Sequence, residues 1–135
     1  RYSLQFSPIS EDEKLYSGGN GGSAWYYCLF PNFMLNILPG RVQTNLVQPL
    51  GPDRCRVTFH YYYDDIESPE ALRFIAEDQD YSDKVQAEDM EICAHVQRGL
   101  ESRAYDRGRF SVVYEEGVYH FQSLVRDAYR TWLRR

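Results

Sequence analysis

The sequence lacks the features that would place it in a membrane or on a nucleic acid. No apolar run approaches the roughly 18–20 residues that a membrane span requires, and no secretory signal pattern is present. The 135 residues carry a formal net charge of −5. No broad attraction to nucleic acid or to an anionic membrane is therefore expected, and neither is predicted as a partner.

Cysteine is also scarce. The 3 cysteines are Cys28, Cys55 and Cys93, and they form no C-x-x-C pair. Their odd number and their position in apolar-patterned segments predict reduced thiols in the core of an intracellular, cytoplasmic protein.

What is present indicates one globular domain with an antiparallel sheet. A short alternating segment (Tyr2, Leu4, Phe6) precedes a glycine-rich run at 17–23, which predicts a loop. Three antiparallel strands joined by short turns are then expected. They cover Trp25 to Leu38, with an interruption at Pro31, then Val42 to Gln48 and Cys55 to Tyr63.

The remainder of the chain has the pattern of helices. Ser68, Pro69 and Glu70 form an N-cap, a proline at the first helical position and an acid in the first turn, which predicts a helix to about Ala76. Further segments are a helix from Ser82 or Asp83 to Ser102, a short extended piece over 110–114 and a final helix over 117–133. Strands followed by helices predict an α+β fold with helices over one face of the sheet.

One carboxylate in the second of these helices lies on an apolar face. Helical spacing groups Asp89 with Ile92, Cys93, Val96 and Leu100. An ionised carboxylate that points into a core needs an ion-pair partner, hydrogen bonds or a metal. Asp89 could equally lie at the edge of the apolar stripe and reach water, or pair with an arginine or a tyrosine.

The histidines do not complete a metal site by spacing alone. His95 lies six residues after Asp89, about 240° around the helix, so both cannot hold one ion from the same turn. His60 and His120 lie on other predicted elements, and no H-E-x-x-H pair is present.

Several segments together nevertheless resemble the α subunits of Rieske-type non-haem iron oxygenases. Their iron-ligand helix has an Asp followed eight residues later by Gln, a basic residue, Gly and Leu, which corresponds here to Asp89 and to Gln97-Arg98-Gly99-Leu100. Further similarity lies at 30–34, 44–52 and 104–110 and at His120-Phe121. Within the family the sequence is most similar to choline monooxygenase-like members, which oxidise quaternary ammonium compounds.

The resemblance implies an iron enzyme with a separate electron-transfer domain. Two His and one carboxylate, here Asp89, would hold a mononuclear Fe(II), and Cys93 would line the substrate pocket. Separately from the resemblance, Phe33 and Tyr61 are candidate strand aromatics for the same pocket. Electrons would come from a ferredoxin or a reductase through a Rieske [2Fe–2S] cluster. The resemblance also implies a helix-grip (START or Bet v 1-like) domain that uses O₂ and a small molecule as substrates. It further implies a homotrimer and, in a plant, location in the plastid stroma.

The sequence departs from the family pattern in what it does not contain. It has neither the D-x-x-H-x₄-H segment that supplies the His ligands nor the paired Rieske motif, in which a C-x-H is followed by a C-x₂-H. Residues 1–135 are thus expected to be the C-terminal portion of a catalytic domain, inactive alone, with no residue assigned to catalysis. The aromatic residues of the strands could bind a trimethylammonium group or simply fill a core. An aromatic-ring-hydroxylating dioxygenase and a non-catalytic ligand-binding remnant are the alternatives.

Overall fold

The chain divides into two compact units in a computed structural model that describes residues 1–10 and 22–134. The first unit comprises residues 1–62 and 110–135, and the second comprises residues 63–109. Of the predicted glycine-rich loop, residues 17–21 lie outside the described residues. Gly22 and Ser23 belong to a strand instead.

The described residues of the first unit form mainly an antiparallel sheet of five strands. The strands follow one another in chain order, as β1 (Tyr2–Ile9), β2 (Gly22–Leu29), β3 (Phe33–Leu38), β4 (Arg41–Pro49) and β5 (Cys55–Tyr63). Each neighbour in space is also the neighbour in sequence, so short turns suffice to connect β2 through β5. The α+β class and the antiparallel sheet predicted from the sequence are confirmed.

The predicted single strand from Trp25 to Leu38 is wrong. It is two strands, β2 and β3, which pair with each other from Trp25↔Ile37 to Leu29↔Phe33. The turn between them contains Pro31 and Asn32, and it is fixed to β4 because Asn32 Nδ2 donates to the Val47 carbonyl oxygen at 2.8 Å. A Pro-Asn pair between two apolar runs is itself a turn signal, so a hairpin was the better prediction.

The small buried core lies on one face of this sheet. It consists of Ile9, Ala24 and Leu38, with Tyr26 packed against it. Cross-strand partners in an antiparallel pair share a face, and the registers place all four of these side chains on the same side. The three cysteines are not part of it. All are free thiols, Cys28 half-buried and Cys55 and Cys93 exposed, which corrects the prediction of core thiols.

The second unit contains a single helix, α1 (Pro69–Glu101), of 33 residues. Its N-terminus begins as predicted, because the Ala71 N–H donates to Ser68 Oγ at 3.1 Å. The prediction of two helices separated near residues 77–81 is wrong. That segment contains no glycine or proline, and the interior i,i+4 pair of Asp80 and Lys84, 2.6 Å apart, lies within the continuous helix.

The predicted extended piece at 110–114 is a turn. Ser111 Oγ accepts from the Tyr114 N–H at 3.3 Å, and the Glu115 side chain accepts from the Ser111 N–H. These bonds direct the chain into α2 (Glu116–Leu133), which confirms the predicted final helix to within one residue at its start. No helix among the described residues is long and apolar enough to cross a membrane.

A groove on the polar face of the sheet and the position of Asp89

The sheet face that carries the small core also carries a row of polar side chains. The registers align Gln5 with Tyr26, Tyr26 with Asn36, and Asn36 with Gln43, so four strands each contribute one member. Most of their sequence neighbours are apolar, and these point to the opposite face. The result is a band of amides and a phenol across the sheet.

A second row beside it combines sulfur with hydrogen-bonding groups. Ser3 pairs with Cys28, Cys28 with Met34, and Met34 with Asn45. Gln43 Nε2 donates to Asn45 Oδ1 at 2.8 Å, and both side chains are buried. This bond links the two rows and holds the Asn45 amide in one orientation.

Helix α2 forms the other wall of this region. Its N-terminal end lies close to β1, since a β-carbon at Gly117 would be 3.7 Å from Ser3 Cβ. Phe121 contacts the β2–β3 turn through Phe30, with the ring centroids 5.9 Å apart. Between the helix and the sheet is an open cavity of about 1210 Å³, which we call the groove. The side chains that line it include Gln5, Tyr26, Cys28, Met34, Asn36, Asn45, Glu116, His120 and Phe121.

The predicted pocket residues of the first unit lie in different places. Phe33 is on the opposite face of the sheet from the groove, because its partners are Leu29 and Leu46 rather than the polar rows. Tyr61 is half-buried and lies beside Arg41, whose guanidinium carbon is 5.5 Å from the ring centroid. This cation–π contact means that Tyr61 already contacts a cation of the chain itself.

Asp89 lies on α1 in the second unit and is exposed, as is Cys93 one turn later. The apolar face that periodicity assigned to them exists, but it is open to solvent: Ile92 is 61% exposed and Leu100 is 49% exposed. Of the situations that the sequence left open for Asp89, exposure to water is the one that this chain shows. Asp89 needs no partner within the described residues, because water solvates it.

The described residues do not by themselves fit a three-ligand iron site. They contain no group of three or more His, Cys, Asp or Glu side chains that could hold a metal ion. His60, His95 and His120 are all exposed, on β5, α1 and α2 respectively. Of the two-His-one-carboxylate set that non-haem iron uses, this part of the chain can offer the carboxylate.

A different carboxylate of α1 is the buried one. Asp78 is 0% exposed and accepts a hydrogen bond from Tyr63 Oη at 2.7 Å. The Tyr63 ring also meets Phe74 edge to face, with centroids 6.1 Å apart. Sequence reasoning missed Asp78, although its helical spacing from Phe74 (i−4) and Ser82 (i+4) placed it on one face with them.

Residues 7–131 match the family model described as the ring hydroxylating alpha subunit (catalytic domain). The chain belongs to this family. The match extends over nearly the whole chain, including both units and Asp89. It confirms the resemblance that the helix signature around Asp89 suggested.

The curated relatives of this ring-hydroxylating family member are plant proteins. One named chloroplastic choline monooxygenase from Arabidopsis thaliana is 46% identical over 106 residues, which is 78% of this chain and 24% of that protein. Proteins of the same name from Amaranthus tricolor and Spinacia oleracea are 35% and 34% identical, over 75% and 79% of the chain and 23% and 24% of the relatives. The chain thus spans about a quarter of the length of these relatives. No solved structure matches it.

Proposed function

We propose that this chain is the C-terminal portion of the catalytic domain of a Rieske non-haem iron oxygenase that hydroxylates a small quaternary ammonium alcohol such as choline. The observation that supports this most directly is the 46% identity to a protein named choline monooxygenase, together with the family match over residues 7–131. The polar groove suits a small hydroxylated ligand better than a purely apolar one.

Asp89 is proposed as the carboxylate ligand of the iron. Three features support it: its place eight residues before Gln97-Arg98-Gly99, its position on an exposed helix face, and its freedom from ion pairs among the described residues. When bound, a mononuclear Fe(II) would supply the site at which O₂ is reduced. Since the sequence contains no D-x-x-H-x₄-H segment, Asp89 would be the chain's own contribution to that site.

The remaining parts of the proposal concern architecture and partners. An antiparallel sheet with α2 across its polar face is compatible with a helix-grip domain. The complete enzyme would draw electrons from a ferredoxin or a reductase through a [2Fe–2S] cluster and would form a homotrimer. Because the relatives are named chloroplastic, the plastid stroma is the proposed location.

The atoms and electrons of the proposed hydroxylation balance. Insertion of one oxygen atom into the C–H bond beside the choline hydroxyl gives an aldehyde hydrate, and the second oxygen atom leaves as water. Two electrons and two protons are consumed. The 135 residues carry no Rieske motif and are expected to be inactive alone, so the test requires the complete gene product.

The test is choline-dependent O₂ consumption by that complete protein with ferredoxin, ferredoxin reductase and NADPH. We expect one aldehyde formed for each O₂ consumed, and no uptake without choline. The family description favours a second candidate, hydroxylation of an aromatic ring. Uptake with benzoate, accompanied by a dihydrodiol product and no reaction with choline, would replace the first proposal with the second.

A further inference from the structure

The groove has an unbalanced charge. Among the described residues that line it, Glu116 is the one side chain that carries a full charge at neutral pH. The others contribute amides, hydroxyls, sulfur, aromatic rings and the imidazole of His120. A ligand that enters the groove therefore meets one negative charge and no lysine or arginine from this part of the chain.

The position of Glu116 in its helix also affects the charge at this end of the groove. It is the first residue of α2, where the helix dipole places about half a positive elementary charge. The full negative charge of Glu116 outweighs this partial charge. The neighbouring carboxylate, Glu115, is directed elsewhere, because it accepts a hydrogen bond from the Ser111 N–H. Without the Glu116 charge, the same end of the groove would present a positive helix terminus.

Aromatic rings lie along the same groove. Tyr26 is on the sheet, half-buried against the core, and Phe121 lies on α2, held against Phe30 at a centroid distance of 5.9 Å. Tyr114 lines the groove from the turn before α2. Ring faces attract alkylammonium groups, which are cationic but weakly hydrated. The amides of Asn36 and Asn45 supply hydrogen bonds on the sheet side.

We propose that the groove is a cation-binding subsite in which Glu116 is the counter-charge that selects a quaternary ammonium ligand over a neutral one of the same shape. The inference rests on the proposed function for the ligand class, and it adds the residue that determines the selection. Glu116 acts here on ligand binding and has no part in the oxygen chemistry.

Two probes of equal shape test this charge selection in the 135-residue chain. Choline and its neutral carbon analogue 3,3-dimethylbutan-1-ol differ in one charge. Each is titrated into the ¹⁵N-labelled chain, and affinity is taken from amide shifts of groove residues. We expect choline to bind the native chain more tightly than the analogue. Glu116→Gln should weaken choline binding by roughly three- to tenfold and leave the analogue unchanged.

The matched control is Asp53→Asn. Asp53 lies in the β4–β5 turn with its side chain 60% exposed, and its replacement changes the net charge by the same amount away from the groove. Choline affinity should be unchanged in this variant. Dispersed amide spectra that overlay with those of the native chain will show that each variant is folded.

The proposal is overturned if Glu116→Gln binds choline as the native chain does, if Asp53→Asn weakens binding equally, or if choline shifts no groove amide. Failure of the proposed function is a separate result. If the complete protein does not oxidise choline but the chain still binds it through Glu116, the cation-binding subsite is supported and the proposed reaction is not. If Glu116→Gln leaves kcat/KM for choline unchanged in an active complete enzyme, the proposed reaction is supported and the cation-binding subsite is not.

Discussion

Two carboxylates of α1 show how environment decides what a side chain can do. Asp78 is fully buried and bonded to Tyr63, whereas Asp89, eleven residues later, is exposed. The periodicity of the sequence placed Asp89 on an apolar face and left open whether that face is buried. It could not show that the C-terminal turns of α1 are solvated in this chain, because spacing identifies a face and not what covers it.

Replacement of Tyr63 by Phe should destabilise the second unit. The variant removes the hydrogen bond to the buried Asp78 and keeps the ring that packs on Phe74, so the lost interaction is confined to one donor. We expect a loss of about 1–3 kcal/mol in the free energy of unfolding, measured by urea denaturation. Tyr62→Phe is the control, since Tyr62 is 58% exposed. Equal stability of the two variants would contradict the role of the Tyr63–Asp78 bond.

The stability of the N-terminal end of α1 depends on the ionisation of Asp65. The hydroxyl of Ser68 and the backbone N–H groups of Glu67 and Ser68 bond to its carboxylate and lower the pKa of Asp65 below its ordinary value. Because folding lowers this pKa, the Asp65 carboxylate stabilises the folded chain at pH values above the pKa that Asp65 has in the unfolded chain. This stabilisation is lost as the pH falls through the pKa that Asp65 has in the folded chain.

Chemical denaturation between about pH 6 and pH 2 tests this coupling. The native chain should lose stability on the acid side of this range, and Asp65→Asn should lack that part of the pH dependence. Parallel curves for the two proteins would show that Asp65 makes no such contribution. The Asp65 titration can also be followed directly by NMR.

At the scale of elements, the sequence located most features but misjudged their boundaries. The Ser68 cap and the final helix were recognised because capping and apolar periodicity are local signals. The β2–β3 hairpin was missed because Pro31 was interpreted as an interruption within one strand. The predicted interruption of α1 between Ala76 and Ser82 was wrong because no glycine or proline at 77–81 ends the helix. The groove was missed because only the strand register shows that Asn36 and Asn45 share a face with Tyr26.

Continuity of α1 can be tested with a proline at position 80. In a single helix, Asp80→Pro removes a backbone hydrogen bond and clashes with the preceding turn, at a cost of about 3 kcal/mol or more. In two separate helices the same change would lie in a linker and be tolerated. Asp80→Ala controls for the lost ion pair with Lys84, which is exposed and contributes little. A proline variant as stable as the alanine variant would contradict the continuous helix.

At the scale of the whole molecule, the chain is a family member that spans about a quarter of its curated relatives. It contains a groove with a charged end and a helix with a family-like Asp89, but not three candidate ligands together among its described residues. Short motifs such as Gln97-Arg98-Gly99-Leu100 were sufficient to identify the family from the sequence. They could not identify the ligand-binding surface, because that surface depends on how β1 to β4 and α2 are assembled.

Iron content tests the central claim that Asp89 is an iron ligand. The complete protein, Asp89→Ala and Glu88→Ala should be purified in parallel, and iron and the Rieske cluster quantified separately by metal analysis and absorption. Glu88 is the exposed neighbour on the polar face of α1. We expect full mononuclear iron in the native protein and in Glu88→Ala, and at least about a tenfold loss in Asp89→Ala with the cluster retained. Mononuclear iron held equally by Asp89→Ala and the native protein would contradict the assignment of Asp89 as a ligand.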